Sequence, residues 1–161
     1  MFKIKAEYGE KIEVKTSLEK VREFFADTRN FVELMPNVEG IKTDANGVAK
    51  WTIRAEIPLL GAMTETFNVE MTENSQERIE YSPARTETKN YLRYAADFME
   101  KSATETLIQI KQTVELRREK ARDLHFLAGL AGEKVISGQM QQRVAEMIKT
   151  FLKKARTKLE G

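Results

Sequence analysis

Two hydrophobic periods divide this chain. Phe2, Ile4, Ala6 and Tyr8 alternate with Lys3, Lys5 and Glu7, the period-two pattern of a half-buried strand. Gly9 interrupts the beat and Ile12 and Val14 resume it, which predicts one long strand with a glycine bulge, or two short strands. From Thr16 to Ala26 the period becomes helical, with Leu18, Val21, Phe24 and Phe25 on one face. Thr16 and Glu19 have capping-box spacing. Asp27 or Thr28 can cap a second short helix through Phe31, Val32 and Leu34, which Pro36 ends.

After Pro36 the period returns to two. Val38 to Thr43 reads as a strand, and Asn46-Gly47 is a strong hairpin signal. Trp51, Ile53, Ala55 and Ile57 share one face of the next strand, closed by Pro58 and Gly61. Glu65, Phe67, Val69 and Met71 alternate, then Ile79 and Tyr81 up to Pro83. Leu92, Tyr94, Ala96 and Phe98 follow, and last Thr106, Ile108, Ile110, Gln112 and Val114. Short polar connections predict an antiparallel meander. From Leu124 to Leu159 no proline interrupts a helical pattern, with Met140, Val144, Ile148, Phe151, Ala155 and Leu159 on one face. The expected architecture is α+β: a curved antiparallel sheet of about seven strands, two short helices after the first, and a long C-terminal helix on the concave face.

Composition narrows the function classes. With 161 residues, 41% of them hydrophobic and 32% charged, a single domain over residues 1–161 is expected. There is no cysteine, which excludes disulfides and thiolate metal sites, and His125 is the lone histidine. A net charge of +2 is too balanced to argue for nucleic acid. No apolar run approaches the ~20 residues of a membrane span, so no transmembrane segment is expected. The alternating N-terminus does not read as a signal peptide, and a cytoplasmic location follows by default. No phosphate loop, dinucleotide fingerprint, EF-hand or zinc motif is present, so neither cofactor nor metal is expected.

The order of elements resembles the helix-grip fold of the START and birch-pollen-allergen (SRPBCC) superfamily. Phe31-Val32-Glu33-Leu34-Met35-Pro36-Asn37-Val38-Glu39 resembles that family's passage from the second short helix into the next strand. Leu130-Ala131-Gly132-Glu133-Lys134-Val135-Ile136 is similar to the opening of the last helix in the CoxG-like branch, which is associated with carbon monoxide dehydrogenase. That branch usually carries Pro-Gly where this chain has Pro36-Asn37. The resemblance implies an apolar ligand held between sheet and helix. In other members it implies a cyclase-type enzyme or an accessory protein.

Side-chain size along the last helical stretch suggests where such a ligand would sit. Ala128, Gly129, Ala131, Gly132 and Gly138 precede the bulky Phe151 and Leu152. One reading is that Ala131 and Gly132 face the sheet near Met71 and Tyr94 and leave a cavity. The others are close backbone packing, or a helix that begins only after Gly132. Trp51, Phe67, Met71, Tyr81, Tyr94 and Phe98 alternate onto candidate inner faces, and Met140 faces them from the helix. For any single one of them, ordinary core packing is the stronger reading. A buried tyrosine hydroxyl needs a partner, which a ligand oxygen can supply. Gln112 is polar but in phase with Ile110 and Val114, and a neighbour or a water can satisfy it there. Glu133 reads as a solvated first-turn residue and His125 as a connector residue, and no catalytic residue is assigned. Lys149, Lys153, Lys154, Arg156 and Lys158 read as a solvated face beside the helix C-terminus. The leading expectation is non-catalytic binding of a lipid-, quinone- or polyketide-like molecule. The alternatives are a cyclase or dehydratase, and an accessory protein for a molybdenum-containing dehydrogenase, with a protein partner.

Overall fold

The computed structural model describes residues 1–161. Seven strands form one antiparallel sheet: β1 (Phe2–Val14), β2 (Val38–Thr43), β3 (Val48–Ile57), β4 (Gly61–Asn74), β5 (Arg78–Pro83), β6 (Asn90–Ser102) and β7 (Glu105–Arg118). Their order is β1-β7-β6-β5-β4-β3-β2, so every neighbour except β1 follows its partner in sequence. The short helices α1 (Leu18–Ala26) and α2 (Arg29–Leu34) come between β1 and β2. After β7 come a single 3-10 turn at Ala121–Asp123, the one-turn helix α3 (Ala128–Ala131) and the long helix α4 (Glu133–Glu160).

Several local details differ from the pattern reading. β1 pairs with β7 in unbroken register from Phe2 to Val14, so there is no bulge at Gly9. A side chain there would stand 3.3 Å from the Ile110 carbonyl oxygen, which is why glycine fits. Ser17, not Thr16, caps α1, its hydroxyl accepting from the Lys20 N–H at 3.3 Å. Thr16 is buried instead, and its carbonyl accepts from the Thr106 hydroxyl. Asp27 serves α2 by accepting from the Arg29 N–H. Residues Asp44 to Gly47 form the β2–β3 turn, held by Asp44 Oδ1 on the N–H groups of Asn46 and Val48. Asn37 takes a left-handed conformation, φ 73°, which asparagine tolerates best after glycine.

The core is aromatic where α1, α2 and α4 meet the sheet. Phe151 of α4 stacks on Phe31 at 5.1 Å and meets Phe24 and Phe25 at 6.0 Å. Phe31 reaches Trp51 and Tyr94 on the sheet at 5.3 and 5.1 Å. Each such side chain contributes ~1.5–3 kcal/mol through burial.

α4 also closes the free edge of β1. The outward N–H groups of Lys3, Lys5 and Glu7 donate to Glu133 Oε1, Ser137 Oγ and Gln141 Oε1 at 3.3, 3.2 and 2.7 Å. The Gln141 amide returns a bond to the Glu7 carbonyl. Further along, Arg156 donates to the Glu13 carbonyl and the Lys15 N–H to Glu160. Two strand residues advance ~6.6 Å and four helix residues ~6 Å, so the two ladders stay in step. An edge strand left open is a template for unwanted pairing.

Candidate functional site

A pocket of about 60 Å³ lies between the sheet and the middle of α4. Ile53, Ala55 and Ile57 of β3 form one wall, and Met63, Glu65 and Phe67 of β4 the next. Gln112, Val114 and Leu116 of β7 face them, and Met140, Arg143, Val144 and Met147 of α4 close the top. Each of these strands contributes alternate residues, so the lining is the concave face of the sheet. Apart from Glu65, Gln112 and Arg143 it is apolar. The volume is small beside the ~300–1,000 Å³ of typical ligand sites. Three methionines line it, and their unbranched side chains repack readily.

The structure sorts the ten residues expected at a site into three groups. Phe67, Gln112 and Met140 line this pocket. Trp51, Tyr81, Tyr94 and Phe98 are buried in the adjoining aromatic core. Met71, Ala131 and Gly132 lie elsewhere. Met71 sits beside a register shift in the β4–β5 pairing and is 39% exposed. Gly132 has φ 86° and separates α3 from α4, so the long helix begins after it. A side chain built there meets nothing within 4 Å, and the expected cavity near Met71 and Tyr94 is not formed by these residues. Glu133 is exposed and holds the β1 edge, and His125 Nδ1 accepts from the Leu127 N–H.

Polar groups inside the grip are unevenly satisfied. Gln112 is 1% exposed, and neither its amide nitrogen nor its oxygen has a hydrogen-bond partner within the protein. Tyr94, its direct neighbour across β6 and β7, has an unpartnered buried hydroxyl, as does the Trp51 indole N–H. Burial, with Tyr81 adding to it, pushes the Tyr94 hydroxyl well above its usual range, and burial raises Tyr81 too. Both therefore stay protonated. An unsatisfied buried polar group costs ~1–3 kcal/mol, which invites a partner from outside the chain.

A second polar group stands at one end of the pocket. β5 pairs with β4 only from Val69 to Asn74, so the first half of β4 has no strand on its β5 side. Side chains bridge the gap to β6 and β7. Asn90 donates to the Thr66 carbonyl at 2.8 Å and to Glu65 Oε2 at 2.9 Å. Arg118, with 11% of its side chain exposed, donates to Glu65 Oε2 at 3.1 Å and to Asn90 Oδ1 at 2.8 Å. Strand phase carries a signal for all three. Glu65 is in phase with Phe67, Asn90 with Leu92, and Arg118 with Leu116, yet the pattern reading selects only Gln112. No group of three or more His, Asp or Glu side chains gathers as a metal site would require.

No protein-family model and no curated protein matches the sequence. Solved structures do resemble the fold. The di-domain ARO/CYC BexL superposes with a TM-score of 0.63 at 14% identity, over 98% of this chain and 51% of that one. The chain thus spans about half the length of this di-domain protein. The Zhui aromatase/cyclase from a Streptomyces species gives 0.60 at 14% identity, over 94% of each chain. A START superfamily protein from Mycobacterium smegmatis gives 0.53 at 14% identity, over 86% of this chain and 96% of that one. Seven antiparallel strands curved around a long C-terminal helix, with two short helices after the first strand, give this chain a helix-grip fold, which it shares with that START superfamily protein.

Proposed function

We propose that this protein binds a compact apolar molecule bearing a polar group, without transforming it. The observation that carries the reading is Gln112, a fully buried amide with no partner on the wall of an apolar pocket. A carbonyl or hydroxyl on a quinone- or polyketide-like ligand supplies what the fold does not. Entry requires the pocket to widen, which repacking of its three methionines allows.

The test uses acetylnaphthalene, an apolar fluorescent body with one carbonyl. Gln112→Leu should weaken its binding about tenfold, the scale of one buried hydrogen bond. The same substitution removes an unsatisfied amide and should hold or raise the melting temperature. Equal affinity in both proteins would remove Gln112 as the anchor.

Two other readings each have one observation behind them. The small cavity favours an accessory protein whose core fills itself, with the molybdenum-hydroxylase role as its most specific form. Wild-type protein that binds no apolar probe would move that reading ahead. The neutral Tyr94 hydroxyl beside Gln112, together with the likeness to aromatase/cyclases, favours an enzyme. Turnover of a polyketone lost in Tyr94→Phe with binding intact would support it.

A further inference from the structure

The polar cluster at the pocket's end says which ligands the pocket accepts, if the binding reading holds. Asn90 has spent both amide protons, on Glu65 Oε2 and the Thr66 carbonyl. Arg118 gives one terminal nitrogen to Glu65 Oε2 and the other to Asn90 Oδ1 and the Arg117 carbonyl. Its positive charge is matched by the Glu65 carboxylate 3.1 Å away. What remains open is Glu65 itself. It stands on the pocket wall, Oε2 takes both donors, and Oε1 accepts no hydrogen bond from the protein.

We infer that Glu65 is a specificity residue that selects neutral ligands carrying a hydroxyl donor, such as alcohols and phenols, and turns away carboxylates. A hydroxyl proton pairs with Oε1, and a hydrogen bond to an ionised acceptor is stronger than a neutral one. A carboxylate at the same place meets like charge, Arg118 is already committed to Glu65 and Asn90, and Arg143, the other arginine on the wall, donates to the Glu56 carbonyl and to Glu146. Pairing with Arg118 and Asn90 occupies Oε2 alone and leaves Oε1 without a donor from the protein. The position of Glu65 is fixed by the sheet gap, where Asn90 and Arg118 reach it because β5 has ended.

The experiment compares naphthol with naphthoate at neutral pH, by calorimetric titration of wild-type protein and Glu65→Gln. Both ligands share one apolar body, and only naphthoate is charged. Wild type should prefer naphthol by about tenfold or more. Glu65→Gln should lose that preference, with naphthoate gaining affinity. Acetylnaphthalene, which has no proton to donate, serves as the control for the pocket. If it binds while naphthol shows no advantage over naphthoate, this inference fails and the binding reading stands. If none of the three binds, both fall. Should Glu65→Gln prove unfolded by circular dichroism, the wild-type preference alone decides: naphthoate bound as tightly as naphthol overturns the assignment.

Discussion

Phe151 meets three other phenylalanine rings and is fully buried, so no neighbour can relax into its place without losing contacts of its own. Phe151→Ala should lower stability by ~3–5 kcal/mol in urea unfolding. Gly132→Leu tests a different kind of residue. Its φ of 86° penalises any side chain, although the surrounding space is open. The substitution should cost ~1–3 kcal/mol and leave probe binding unchanged. Strand phase makes Gln112 visible as a polar residue on an inner face. It cannot show that the amide lacks a partner, because that depends on what lies opposite. Phase also places Glu65, Asn90 and Arg118 inward, but a polar residue near a strand end is usually solvated. Only the early end of β5 explains why these three meet. Gly132 fits a continuous helical count, and a count is blind to the sign of φ.

At the scale of elements, periodicity carries most of the information, because both helices and strands here bury one face each. Capping is harder to read. Thr16 and Glu19 have the right spacing, yet Thr16 is drawn into the core by β7 and the next hydroxyl, Ser17, caps the helix. Ser17→Ala should therefore cost about 1 kcal/mol in chemical unfolding, and Glu19→Ala much less. The seal between α4 and β1 is not legible in the sequence at all, since it joins side chains to backbone over more than a hundred residues. It has a measurable signature. The Lys3, Lys5 and Glu7 amides, although on an edge strand, should exchange hydrogen slowly. Combined Ser137→Ala and Gln141→Ala should speed exchange at Lys5 and Glu7 and leave Lys3 slow.

For the whole molecule, strand order is readable because the connections from β2 to β7 are short and antiparallel. The pocket is not, because its size depends on how three methionines pack. Charge contributes where Arg78 gathers Asp97 and Glu80 at 2.7 Å on the outer surface. The hydrogen bond from Arg78, helped by Thr72 and opposed by burial, holds the Glu80 carboxyl below the usual carboxylate range. A depressed folded-state value makes the contribution complete above the unfolded value, near pH ~4.3, and removes it as pH falls through the folded one. Arg78→Met should therefore lower the melting temperature at neutral pH. The gap to wild type should shrink as the solution is acidified below that range.

The paired ladders of β1 and α4 also constrain how the gene can change length. From Lys3 to Lys15 the strand rises ~40 Å, and from Glu133 to Glu160 the helix rises ~40 Å, so the two elements work as a vernier. One residue inserted between Gln141 and Phe151 would turn everything after it by ~100°. Phe151 would leave the sheet, and Arg156 and Glu160 would lose β1. Four residues would restore the facing but overshoot by ~6 Å, unless the strand gained two. Insertions and deletions in this helix should survive only when paired with half as many in the first strand.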